Sequence, residues 1–202
     1  EDPIAPPIDV SGHVVARFGV TGARPHLLYA QTLTGAEMWV TDHKQILQLT
    51  NFHRFDTFQL GGFIVGSRVF FPASVNLPRH EQNPDEICQL FSIDLLGGHL
   101  RQLTHLPSDR RQPNSSCAEG DLQLDPPLDT ECSISRFFVD PITRTVLFAS
   151  SCDPLGTNPF GEQVFSMRPD GTGLRQLTRA RGRTIDPDGT VHVELPGPFA
   201  YP

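Results

Sequence analysis

Positive charge is scarce in this sequence, with 16 Lys and Arg against 23 Asp and Glu and a formal net charge of −7. Nucleic-acid affinity rests on clustered cations, so no nucleic-acid partner is expected, the local arginines of Arg175–Arg183 notwithstanding. No apolar run approaches the roughly 18–20 residues that a helix needs to cross a bilayer, so no membrane span is expected either. A single Trp and two Tyr leave few aromatic pairs for stacking on sugars. Gly-x-Ser-x-Gly is absent, and with it the strained elbow of a serine hydrolase. No glycine-rich loop joins a strand to a helix to cradle a phosphate. The eight His never fall as His-x-x-x-His or beside a cysteine at ligand spacing, whereas zinc needs three or four convergent donors. His80, Glu81, Asp85 and Glu86 come nearest to a metal set, and Asp186-Pro187-Asp188-Gly189 has the opening of a calcium loop without its later Glu. Both read better as solvated loop and turn. Neither a cofactor nor a catalytic residue is expected.

What the chain does have is punctuation and repetition. Its 19 Pro and 17 Gly cut it into short segments that suit strands better than long helices. Residues 91–104, Phe-Ser-Ile-Asp-Leu-Leu-Gly-Gly-His-Leu-Arg-Gln-Leu-Thr, align without a gap on residues 165–178, Phe-Ser-Met-Arg-Pro-Asp-Gly-Thr-Gly-Leu-Arg-Gln-Leu-Thr. A weaker third copy, Met38-Trp39-Val40-Thr41 through Leu47-Gln48-Leu49-Thr50, fits after deletion of one turn residue. The alternation Phe91, Ile93, Leu95 is that of a strand. Gly97-Gly98 and Asp170-Gly171 tolerate the positive φ of a reversal, so each copy reads as a hairpin. Upstream of each lies a β-rich run, Leu27–Ala30, Val69–Phe71 and Val146–Ala149. Inner strands are expected near Val14–Val20, Phe55–Leu60 and Ile134–Val139, with Gly61-Gly62 as the second turn.

Four antiparallel strands repeated about an axis make a propeller blade, a sheet that buries its faces only against neighbours. Here the sequence resembles the TolB-type β-propeller repeat (the PD40 kind), on the strength of Phe165–Thr178 and then Phe91–Thr104. The expected fold is all-β: a partial propeller of three four-stranded antiparallel blades plus the start of a fourth. Blade one covers about 13–50, blade two 55–104, an insertion 105–131, blade three 132–178 and the opening of blade four 184–195. Asp186–Thr190 supplies the family's Pro-Asp-Gly turn there, and two strands of that blade are missing before Pro202. Three and a half blades leave open sheet edges, which invite association. A protein partner or a continuing polypeptide is therefore expected to complete the ring, as in an oligomer or large complex. The chain opens on Glu1 without Met, as after signal removal or excision.

Four Cys fit two disulfides and an oxidising compartment. Strand polarity puts Cys88, Cys132 and Cys152 at one end of the blades, with Cys117 in the loop feeding Cys132. The expected pairs are Cys117–Cys132 and Cys88–Cys152, with Cys132–Cys152 as the alternative. Two insertions, Asn76–Glu86 and Leu106–Glu131, share that end. Their Asn76, Arg79, His80, Glu81, Asp109, Arg110, Arg111 and Asp121 form the expected partner-binding surface. Ser150-Ser151 beside Cys152 reads as a strand end, and Tyr29 and Trp39 as core. The resemblance implies periplasmic or extracellular residence and protein partners. The expected function is a non-catalytic protein-interaction scaffold, the alternative an accessory propeller domain of a larger redox or hydrolytic enzyme.

Overall fold

The computed structural model describes residues 15–18, 25–31, 35–41, 46–54, 61–77, 83–84, 86–106, 117, 134–157, 163–179, 182–185 and 191–194. All regular elements among them are strands. The first sheet holds β1 (Val15–Phe18), β2 (His26–Gln31), β3 (Ala36–Thr41) and β4 (Ile46–Gln48); the second holds β5 (Phe63–Val65), β6 (Arg68–Ala73), β7 (Gln89–Asp94) and β8 (Arg101–Gln102). The third holds β9 (Ile134–Val139), β10 (Val146–Ser150), β11 (Gln163–Met167) and β12 (Arg175–Gln176), and β13 (Gly182–Ile185) pairs with β14 (Val191–Glu194) in a two-stranded sheet. Every pairing is antiparallel between chain neighbours.

Period-two geometry sends alternate side chains of the second sheet into two different cores. Val69, Phe71, Phe91 and Ile93 pack with Leu27, Tyr29, Met38 and Leu49 of the first sheet. Phe70, Leu90 and Leu103 pack with Val146, Phe148, Phe165 and Met167 of the third. The second sheet is therefore covered on both faces. Inner strands also meet: Phe63 of β5 touches Phe137 and Phe138 of β9 edge-on, with ring centroids 5.0 and 5.6 Å apart. Sheets stacked serially with their first strands adjacent radiate from one axis, the geometry of a partial β-propeller and not of two facing sheets.

Three expectations shift. The inner strand of blade two is Phe63–Val65; its turn is Gly66-Ser67, closed by the Val65–Arg68 pair with Gly66 at φ 63°. Gly62 instead lies against blade one, where an added Cβ would stand 2.8 Å from the Leu27 side chain. Residues 55–60 lie outside the described ones. The third repeat copy moves by one residue: the N–H groups of Met38 and Leu90 make the same hydrogen bond, so Trp39, not Met38, matches Phe91. A one-residue slip exchanges faces. Met38 is accordingly sealed between blades one and two, while Trp39 points to the other side of blade one, half-buried and in neither core.

The recurring Gln-Leu-Thr is a clamp. In blade two the Thr104 hydroxyl accepts the Leu90 N–H at 2.9 Å and donates to Gln89 Oε1 at 2.6 Å. Thr50 does the same with Met38 (2.8 Å) and Glu37 (2.7 Å), and Thr178 with Val164 (2.9 Å) and Gln163 (2.7 Å). Each Gln of the triplet reaches ahead to its Thr carbonyl, at 2.6, 2.7 and 2.7 Å. Each Leu N–H donates back to the third strand. Thr104 is buried and Thr178 half-buried, and an orphaned buried donor costs about 1–3 kcal/mol. Thr104→Val is therefore expected to lower unfolding free energy by about that amount in urea titrations, and Thr178→Val by clearly less. Equal losses would contradict the clamp's dependence on burial.

Candidate interaction surface

The loop end of blade two is built by side chains that replace a ladder. Beyond the last pair of β6 and β7, Ala73–Gln89, the chain leaves for residues 76–86 and returns. Buried Asn83 closes the excursion: its amide donates to the carbonyls of Val75 (3.1 Å) and Ile87 (2.8 Å), one on each arm. The Asn83 N–H leans on Asn76 Oδ1 at 3.4 Å, and the Glu86 N–H donates to the Asn83 carbonyl at 3.0 Å. Glu86, at φ 52°, pairs with Arg54 of the segment that follows blade one.

The second insertion is anchored at the same end. Cys117 is bridged to Cys88, 29 residues earlier, and its N–H donates to the hydroxyl of Ser74 at the end of β6. The expected pairs Cys117–Cys132 and Cys88–Cys152 are both overturned. Ala73 pairs with Gln89, so their neighbours Ser74 and Cys88 leave the sheet side by side; a Cys117 held at Ser74 meets Cys88 before it can close the insertion on itself. Cys152 is also disulfide-bonded, to a partner outside the described residues. Cys88, Cys117 and Cys152 are all buried in the core between blades two and three, so these three thiol positions do share one end.

Of the expected contact residues the structure describes only Asn76, half-buried and turned toward Asn83. Arg79, His80, Glu81, Asp109, Arg110, Arg111 and Asp121, like Cys132, lie outside the described residues. Glu86 of the metal candidate is described and engaged by Arg54. Among the described residues no three His, Cys, Asp or Glu side chains converge, and no helix is long and apolar enough to cross a membrane. Ser150 is fully buried at the end of β10, its hydroxyl accepting the Cys152 N–H at 3.1 Å. Tyr29 is buried in the first core, and burial pushes its phenol far above the ordinary range against a smaller pull from the Gly61 backbone. Sequence reasoning missed Asn83 and Ser74. The Asn83-Pro84 step was the available signal, since Asn-Pro favours a turn start.

No family model matches the chain, and no curated protein matches it in sequence. Solved structures resemble it in shape. A TolB of Agrobacterium tumefaciens aligns at 12% identity and TM-score 0.49, over 86% of this chain and 50% of its own. The β-propeller domain of the Trilobed protease from Pyrococcus furiosus, described as having an open velcro topology, aligns at 13% and TM-score 0.45, over 82% and 38%. The chain thus spans half or less of the length of these two structures. At these scores the architecture rests on the sheets themselves.

Reducing the bridge is expected to free the second insertion from blade two. A disulfide closing a loop of this length contributes about 2–4 kcal/mol. Replacing Cys88 and Cys117 together by Ala should therefore cost that much in denaturant unfolding; an unchanged midpoint would contradict it. At the opposite end of blade three, Asp140 accepts from the Thr143 hydroxyl (2.6 Å) and the Ile142 N–H (2.8 Å), and Asp170 from the Thr172 hydroxyl (2.7 Å) and N–H (2.9 Å). These bonds, the hydroxyl's first, hold both carboxyls below the ordinary 3.8. The turns' contribution is whole above that value and fades as pH falls through the lowered folded one. Carboxyl-carbon NMR titration should find both midpoints below 3.8, and ordinary midpoints would refute the turn geometry.

Proposed function

We propose that this chain is a non-catalytic protein-interaction scaffold of an oxidising compartment, periplasmic or extracellular, whose open propeller is completed by a partner chain or by its own continuing polypeptide. The observation that supports the reading is that, among the described residues, β13–β14 is a sheet of two strands where the other three sheets have four. A sheet of two strands is marginal alone, and its edge is a template for another strand. Buried cysteines that are bonded and not free support the oxidising compartment. The loop end, stiffened by Asn83 and the Cys88–Cys117 bridge, is the second contact surface, carrying the 76–86 and 106–131 insertions.

Amide hydrogen exchange on the isolated chain tests the open sheet. Fast exchange is expected along β14 and slow exchange along β7, which is paired on both sides. Slow exchange along β14 in a chain that light scattering shows to be monomeric would mean that the sheet is already complete, and would sink the reading.

A further inference from the structure

Charge is divided unevenly between the two ends of the stack. The insertions 76–86 and 106–131 hold three Arg against nine Asp and Glu, a difference of six out of the chain's net −7. Their anchors Asn83, Leu106 and Cys117 lie at the loop end. The opposite end is made by the turns between first and second strands and between third and fourth. In blade two these turns are joined by a bond from the Leu95 N–H to the Ser67 carbonyl at 2.9 Å. In blade three they start side by side, because Val146 pairs with both Val139 and Met167. The charge of Arg101 in blade two reaches Asp170 in the outer turn of blade three, so the two blades share one turn end.

Over 66–68, 94–101, 139–146 and 167–175, which form that end, five Arg stand against three Asp. The excess is positive on a negative chain. Every carboxylate there is already engaged: Asp94 by Arg68 and by His99 Nδ1 at 2.6 Å, Asp140 and Asp170 by hydroxyls and N–H groups of their own turns. Arg101, Arg144, Arg168 and Arg175 are exposed and make no ion pair among the described residues. At the same end stand the two most exposed large apolar side chains among the described residues, Leu96 at 86% in the outer turn of blade two and Ile142 at 89% in the inner turn of blade three. Each turn is held by its own backbone, the Gly97 N–H to the Asp94 carbonyl and the Arg144 N–H to the Asp140 carbonyl, both at 2.8 Å. A turn so held cannot withdraw its apolar tip from water.

We infer that this turn end is a docking surface for an anionic phospholipid bilayer, on which Leu96 and Ile142 enter the headgroup layer while the arginines take the phosphates. Convex apolar tips suit a partner that yields, whereas a folded protein would need two matched hollows. Guanidinium forks match phosphate oxygens. Interfacial binding grows with buried apolar area and with attraction to anionic lipid, and that attraction fades within a Debye length of the surface. The acidic insertions at the far end orient the molecule, since a negative plane repels that end and draws the other. The surface is independent of how the propeller is completed.

Co-sedimentation of the full chain with vesicles of phosphatidylglycerol and phosphatidylcholine in equal parts, and with vesicles of phosphatidylcholine alone, tests the surface. Binding to the first and not to the second is expected, weakening as salt is raised. A cation at an anionic leaflet contributes about a fivefold factor, so Arg144→Gln combined with Arg175→Gln should weaken binding about 25-fold. Leu96→Asp combined with Ile142→Asp should weaken it by about tenfold or more. All four positions are exposed, so both variants should keep the parent melting temperature. Binding that either pair leaves unchanged, equal binding to both vesicle types, or no binding to either would overturn the surface. Capture of soluble polyglutamate by a chain that ignores the vesicles would overturn it in favour of an acidic protein partner.

Discussion

The fold depends on a threonine hydroxyl used three times. The outermost strands β8 and β12 have two ladder residues each and β4 has three, too few for main-chain bonds to fix an edge. Thr50, Thr104 and Thr178 finish the work by accepting a third-strand N–H and donating to a buried Glu or Gln on the same strand. The buried acceptor is thereby satisfied, as burial requires. Blade two takes the bond further, because the Gln89 amide also donates to the Leu106 carbonyl and accepts the Leu106 N–H, which ties down the chain where the long insertion begins. In blade one the carboxylate of Glu37 has no donor and takes the His53 N–H instead. The choice of Gln or Glu thus distinguishes how the chain leaves blade two from how it leaves blade one.

Much of this was legible, for physical reasons that differ from element to element. The hairpins at 91–104 and 165–178 were visible because turn glycine, alternation and Gln-Leu-Thr coincide, each reporting the same geometry. Their clamp partners went unread, since Gln89 and Gln163 stand just ahead of the aligned stretch and only their hydrogen bonds give them meaning. The first copy was displaced by one residue because its shorter turn hides two deletions where one was counted, and Trp39 was read as core only because it falls on a repeat strand. The inner strand of blade two was misplaced since Gly61-Gly62 looks like a turn. In fact Gly62 permits close approach to Leu27 and Tyr29, a packing role that sequence spacing does not carry.

The cysteines show the limit of polarity arguments. Strand direction placed the described thiols correctly at one end, yet pairing is decided at finer range, by which loop backbone finds an anchor. Ser74 holds the Cys117 N–H beside Cys88, and neither loop length nor position announces that contact. The proposed contact surface meets the same limit, because Asn76 proves to be part of the loop's internal bonding.

The two faces of a blade are chemically unlike. The rear face of blade two carries the stacked pair Phe71–Phe91, with ring centroids 6.0 Å apart, and that of blade three the pair Phe148–Phe165, at 5.3 Å. Forward faces, those turned toward the next blade in the chain, carry no such pair among the described residues: Phe70 and Leu147 stand opposite small hydroxyls, Ser92 and Ser166, both buried. A flat ring pair laid on small residues packs closely, whereas two ring pairs facing each other would hold the sheets apart and leave voids, against which dispersion discriminates. Blades therefore stack rear onto forward and in no other order. In blade one the equivalent pair is Leu28–Trp39, of which Leu28 is fully buried and Trp39 half-buried.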